Sequence, residues 1–87
     1  MPREIFREKL FFAIYTDTEK IFHHLIVYRT SKKALREELK GQGHTVKAVF
    51  SDKDVEMILS EEFMDTTVSE KTIAYLKANI DEWNRSQ

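Results

Sequence analysis

The sequence has no cysteine, one proline and two glycines among its 87 residues. Without cysteine, the chain can form neither disulfides nor thiolate metal sites. The scarcity of proline and glycine, with a hydrophobic fraction of 41%, excludes a collagen-like repeat, a disordered tail and a low-complexity linker. Chains of this length rarely hold more than one hydrophobic core, so we expect residues 1–87 to form a single domain.

Long hydrophobic runs are also missing. No stretch approaches the roughly 20 apolar residues that a helix needs to span a bilayer. Charged residues are spread through Met1–Leu10, so this segment does not have the apolar centre of a secretion signal. We therefore expect a cytoplasmic protein that makes no membrane contact.

Two apolar segments near the N-terminus predict a β-hairpin. Leu10–Tyr15 and Ile21–Tyr28 are rich in aromatic and β-branched residues, and the polar segment Thr16–Lys20 separates them. Strand alternation places Phe12 on one face of the first strand and Phe11 on the other, and neither face is polar. A sheet with one face in water alternates between apolar and polar residues, so both faces of this hairpin need a cover.

The middle of the chain predicts a short helix followed by a third strand. Ser31 is placed to cap the helix, and Gly41 to end it. Leu35 and Leu39 recur between them at helical spacing. Thr45–Phe50 then has the composition of a strand.

The sequence leaves two structures open for residues 52–64. Val55 and Ile58 recur at helical spacing, and Ser51 or Asp52 is placed to cap a helix. The alternative is that Val55–Leu59 returns as a strand. We favour the helix, because acidic residues in its first turn complement the helix dipole.

The C-terminal stretch predicts a long amphipathic helix of roughly four turns. Thr67 and Glu70 have the spacing of a capping box at its start. Its apolar stripe consists of Ile73, Leu76, Ile80 and Trp83.

These elements together predict an α+β fold. Its centre is a small antiparallel sheet of three or four strands built on the N-terminal hairpin. A long C-terminal helix and one or two shorter helices pack on that sheet. The segment Arg3–Lys9, before the hairpin, is compatible with either helix or strand.

Histidine, serine and the acidic residues do not form a recognisable catalytic or metal-binding pattern. His23 and His24 are neighbours in a predicted strand, so their side chains point to opposite faces and cannot readily bind one ion together. Ser31, Ser51 and Ser69 lie at predicted helix starts, where capping accounts for them. Neither a Gly-x-Ser-x-Gly sequence nor a glycine-rich phosphate loop is present. We predict no enzymatic activity, no metal and no cofactor.

The hairpin with two apolar faces gives the main functional hypothesis. Either the chain's own helices cover both faces, or another copy or another protein covers one of them. The acidic segment 51–70 is a second candidate surface, since it can attract a basic partner. We predict a non-enzymatic binding or regulatory module that acts through protein–protein contact and self-associates. Its candidate residues are Phe11, Tyr15, Phe22, Tyr28, Glu61, Glu62 and Phe63.

Nucleic-acid binding is the alternative hypothesis. Residues 29–50 carry an excess of lysine and arginine that can neutralise phosphates, and Tyr28 or His24 can stack on a base. A pI of about 6.3 does not favour this alternative. A simpler interpretation is that the basic and acidic parts attract each other within the molecule. The candidate residues for nucleic acid are Arg29, Lys32, Lys33, Arg36, Lys40 and Lys47.

Overall fold

The computed structural model describes residues 7–87 of the chain. Its strands are β1 (Lys9–Thr16), β2 (Phe22–Arg29) and β3 (Thr45–Phe50). The helices within these residues are α1 (Lys32–Gly41), α2 (Asp52–Leu59), α3 (Glu70–Ala78) and α4 (Ile80–Arg85). The α+β class and the small antiparallel sheet are confirmed. The choice left open for Arg3–Lys9 falls largely outside the described residues, and Lys9 begins β1.

β1 is the central strand of the sheet, whose order is β2-β1-β3. β1 and β2 form the predicted hairpin, in continuous register from Lys9 opposite Arg29 to Thr16 opposite Phe22. Asp17 fixes the turn, because its Oδ1 accepts hydrogen bonds from the backbone N–H groups of residues 19 and 21 at 2.8 and 3.1 Å. Such an Asx turn takes the place of the Asn-Gly or Asp-Gly dipeptide that hairpins often use.

The sheet has two faces with different covers. β2 and β3 are both antiparallel to β1, so the connection between them, through α1, crosses over β1 on one face. We call this the α1 face, and there Leu35 and Leu39 of α1 pack on Phe11, Ala13 and Val49. α2, α3 and α4 pack on the other, three-helix face, whose buried cluster consists of Phe12, Ile14, Ala48, Phe50, Val55, Ile58, Leu76 and Trp83.

Serine side chains cap the N-termini of three of the described helices. Ser31 accepts from the N–H of Ala34, and Ser51 forms a reciprocal capping box with Asp54. The segment 52–64 therefore contains a helix, as favoured, and not a returning strand. The predicted Thr67–Glu70 capping box is wrong, because Ser69 is the cap of α3.

The predicted long C-terminal helix is divided at Asn79. Asn79 has φ −114° and ψ 19°, which is outside the helical range, and it separates α3 from α4. Its Nδ2 donates to the carbonyl oxygen of Tyr75 at 2.9 Å, a local bond that competes with helix continuation. The predicted apolar stripe still faces the sheet, since Leu76 and Trp83 are both fully buried.

Candidate interaction surface

The four hairpin aromatics predicted to form an interaction surface lie on opposite faces of the sheet. Phe11 and Tyr15 belong to the α1 face, where Phe11 is buried among core residues and Tyr15 is half-buried. Phe22 and Tyr28 belong to the three-helix face, where Phe22 packs edge-on against the ring of Tyr75 with centroids 5.4 Å apart. Tyr28 is 51% exposed. These residues do not form one patch, and Phe11 is a core residue.

β2 is the strand with the least cover. Its residues from Phe22 to Val27 are all half-buried, whereas the middle of β1 is fully buried. Within residues 7–87, β2 pairs with β1 alone, so one row of its backbone N–H and C=O groups faces outward. Ile21, just before β2, and Tyr28, near the end of β2, are each 51% exposed. We call this outward side of β2 the β2 edge.

The opposite edge of the sheet, along β3, is protected. The register of β3 against β1 shifts at Lys47, which leaves a bulge with an exposed cation. A cavity of about 190 Å³ lies beside β3. Residues of β3, α1 and the loop 60–69 line it. In this loop Phe63 packs edge-on against Phe50, with centroids 5.8 Å apart. Bulges, charges and covering loops keep sheet edges from pairing, and β2 has neither a bulge nor a charged residue before Arg29.

Aromatic rings and a carboxylate meet near the turn on the α1 face. The ring of Tyr15 lies between those of His23 and His44, at centroid distances of 5.5 and 4.4 Å. His23 Nε2 lies 2.9 Å from Asp17 Oδ2. This hydrogen bond, with the backbone N–H groups of the turn, lowers the pKa of the Asp17 carboxyl. The contacts fix His23 at the start of the β2 edge.

His24 connects β2 to two helices on the three-helix face. Its Nδ1 lies 2.8 Å from the Tyr75 hydroxyl and its Nε2 lies 2.9 Å from Glu82 Oε1. Burial raises the pKa of the Tyr75 phenol, so the hydroxyl stays protonated and can donate to His24. A phenol with a raised pKa is not an activated nucleophile. The hydrogen bonds of His24 therefore position α3 and α4 on the sheet.

The predicted acidic surface lies in the turn and loop after α2. Glu61 and Glu62 are exposed, and Glu61 has a left-handed φ of 60°. Phe63 is half-buried against Phe50 and does not project into solvent. Met64 is the exposed hydrophobic residue here, at 82%, and it was not among the candidates. Of these two neighbours, Phe63 turns inward and Met64 turns outward.

Carboxylates partly neutralise the predicted basic surface. Arg29 makes a bidentate pair with Glu38, in which Nε and Nη2 donate at 2.7 and 2.9 Å. This bond raises the pKa of the Arg29 guanidinium and lowers that of the Glu38 carboxyl. Lys32, the first residue of α1, donates to Asp54 in the first turn of α2. The basic and acidic parts of the chain thus contact each other within the molecule. The other candidates are exposed, namely Lys33, Arg36, Lys40 and Lys47.

The Lys32–Asp54 pair predicts a pH-dependent part of the stability. Burial alone would raise the pKa of the Asp54 carboxyl, but hydrogen bonds from Lys32 and from the Ser51 N–H outweigh burial and lower it. A carboxyl whose pKa is depressed by folding stabilises the fold above its unfolded pKa, and this contribution is lost as the pH falls through the folded pKa. We expect Asp54→Asn to lower the free energy of unfolding by about 1 kcal/mol at pH 7 and by much less near pH 2, in urea denaturation.

Asp52→Asn is the matched control for this prediction. Asp52 lies in the same first turn of α2 and is exposed, so it shares the helix-dipole interaction of Asp54. Equal losses in the two variants, or a loss for Asp54→Asn that persists at low pH, would contradict the stabilising role of the pair.

Within residues 7–87, no group of three or more histidine, aspartate or glutamate side chains is arranged to hold a metal ion. None of the helices in that part of the chain has the length and apolar character needed to cross a membrane. No protein-family model matches the chain, and neither does a curated protein or a solved structure.

Proposed function

We propose that this chain is a non-enzymatic binding module that acts through protein–protein contact at the β2 edge. The observation that carries this proposal is the contrast between the two edges of one sheet. β3 has a bulge at Lys47, and Phe63 of the loop after α2 packs on Phe50 at its end. β2 runs from Phe22 to Tyr28 without a charged residue, a proline or a bulge. Unprotected edges of this kind pair with strands of other molecules.

Strand addition is the mode of binding that this edge supports. A partner strand laid along β2 would pair with its outward N–H and C=O groups, and these main-chain bonds supply affinity. Specificity would come from the side chains on both faces. Leu25 and Val27 are half-buried on the α1 face, while Phe22 is half-buried and Tyr28 exposed on the three-helix face. An added strand with alternating apolar residues would bury more of all four.

Two observations support a non-enzymatic role. His23 and His24, the histidines of β2, both hydrogen-bond to carboxylates and lie on opposite faces, so they do not form a pair for acid–base catalysis. A groove of about 690 Å³ lies beside Tyr28 and has no histidine in its lining. Its charged lining residues are Lys9, Asp52 and Lys53.

Nucleic-acid binding through the basic region receives less support. Arg29 and Lys32 donate to carboxylates, so their charges are partly compensated. Neither would then be free to release counterions from phosphates without breaking a pair. Retardation of DNA or RNA by the protein at low salt, lost on charge reversal of Lys33 and Lys40, would favour this alternative over protein contact.

Hydrogen exchange tests the proposed edge directly. We expect the outward β2 amides to exchange more slowly when the protein concentration is raised, or when a lysine-flanked peptide of alternating threonine and valine is added. The amides of β3 should not respond, because its edge is protected. In the variant Leu25→Lys, which places a charge on the β2 edge, this slowing should be largely lost.

Lys33→Glu serves as the control, since Lys33 is exposed and belongs to α1, not to β2. It should keep the response of the wild type. β2 amides that exchange at the same rate under all these conditions, in a protein whose circular dichroism shows an intact fold, would exclude the edge as a docking site.

A further inference from the structure

We infer that the occupant of the β2 edge is the β2 edge of a second copy, paired antiparallel about a two-fold axis at Leu25. The inference rests on the proposed function and names its partner. The two copies would form one continuous sheet of six strands, in the order β3-β1-β2-β2-β1-β3.

Symmetry restricts how two β2 strands can pair. In antiparallel pairing the numbers of opposite residues have a constant sum, and opposite side chains lie on the same face of the sheet. Even residues of β2 lie on the three-helix face and odd residues on the α1 face. An even residue must therefore meet an even one, so the sum is even. The axis then lies midway between one residue and the same residue of the second copy, and the residues near the middle of β2 are His24, Leu25 and Ile26.

The uncharged segment of β2 selects Leu25 among these three. It extends from Phe22 to Tyr28, and Leu25 is its midpoint. An axis at Leu25 therefore pairs the whole segment with itself, and sets Phe22 opposite Tyr28 of the partner subunit. Cross-strand pairs of two aromatic residues are among the favourable ones in antiparallel sheets. The exposed ring of Tyr28 would gain a cover in each copy.

Both neighbouring registers place the segment less favourably. With the axis at Ile26, His23 would lie opposite Arg29 of the partner subunit, and Phe22 would lie opposite a threonine beyond the strand. With the axis at His24, Tyr28 would lie opposite Lys20 of the partner subunit. A shift in either direction thus sets an apolar or aromatic residue against a polar or charged one.

The charge distribution also fits a second copy. The segment Phe22–Tyr28 contains no lysine, arginine, aspartate or glutamate, and its histidines are His23 and His24. These face Asp17 and Glu82 of their own chain, together with the rings of Tyr15 and Tyr75. Arg29, at the end of the segment, is paired with Glu38. No repulsion then opposes the approach of an identical edge.

Engineered cysteines test this register, since the natural chain has none and a single cysteine can form only an intermolecular disulfide. An axis at Leu25 places the two Leu25 residues opposite each other, with Cβ atoms about 4.5–5.5 Å apart. We expect Leu25→Cys to form a disulfide-linked dimer under mild oxidation. His23→Cys and Val27→Cys should not, because each would lie roughly 13 Å from its own counterpart. The double variant His23→Cys/Val27→Cys should regain crosslinking, since these two positions would face each other.

The outcomes separate this inference from the proposed function. Light scattering should give a dimer for the wild type and a monomer for Leu25→Lys. Preferential crosslinking of Ile26→Cys or His24→Cys would overturn the register. A dimer that none of these cysteines crosslinks would place the contact elsewhere and overturn the inference. A wild type that stays monomeric at high concentration, but whose β2 amides respond to the added peptide, would exclude the second copy and leave the docking edge intact.

Discussion

Replacing Trp83 by alanine is expected to lower the free energy of unfolding by about 3–5 kcal/mol. The side chain is 1% exposed and is the largest fully buried one in the described residues. Its ring centroid lies 6.1 Å from that of Phe12 in β1. α4 is only six residues long, too short to be helical without tertiary contacts. Total stability for a chain of this length is on the order of 4–13 kcal/mol, so the loss would leave a marginal fold.

Urea denaturation followed by far-ultraviolet circular dichroism measures this loss, because Trp83 is the only tryptophan and its replacement removes the fluorescence signal. The neighbouring Asn84→Ala is the control. Asn84 is exposed on the same helix, and its replacement should change the stability by no more than about 0.5 kcal/mol. A Trp83→Ala protein as stable as the Asn84→Ala protein would show that α4 does not hold the three-helix face.

The positions of the strands and helices followed from the sequence because local rules determine them. Apolar segments in β1 and β2 match strand alternation, and a polar segment separates them. Ser31 and Ser51 are caps in the structure, as their positions before helical periodicity predicted. These features depend on residues within a few positions of each other, so one sequence is enough to find them.

The break at Asn79 did not follow from the same rules. Periodicity of apolar residues shows which side of a helix is buried, and Leu76 and Trp83 keep that side across the break. It does not show whether the backbone is continuous. The predicted cap of α3 is wrong for a related reason. The Thr67 N–H donates to the Asp65 carboxylate, and the Ser69 hydroxyl accepts from the Thr72 N–H in place of the predicted capping box. Competing side-chain bonds of similar strength decide such details.

The β2 edge can be recognised only from the order of the strands in the sheet. The sequence alone does not give that order. The sequence predicts that both apolar faces of the hairpin need covers, and the chain supplies both from its own helices and not from a second copy. The remaining open side is an edge and not a face. The absence of charge from Phe22 to Tyr28 indicates an edge only together with the strand order, in which β2 is outermost among the strands of residues 7–87.

Replacing Leu35 by alanine should lower the free energy of unfolding by about 2–5 kcal/mol, because it removes much of the cover of the α1 face. Leu35 is 0% exposed and packs with Leu39 on Phe11, Ala13 and Val49. Thermal denaturation should show a fall in Tm of roughly 10–30 °C for a domain of this size. The control is Lys33→Ala, an exposed change in the same helix. If the two variants melted at the same temperature, α1 would not be a structural cover, and the α1 face rather than the β2 edge would become the first surface to test for a partner.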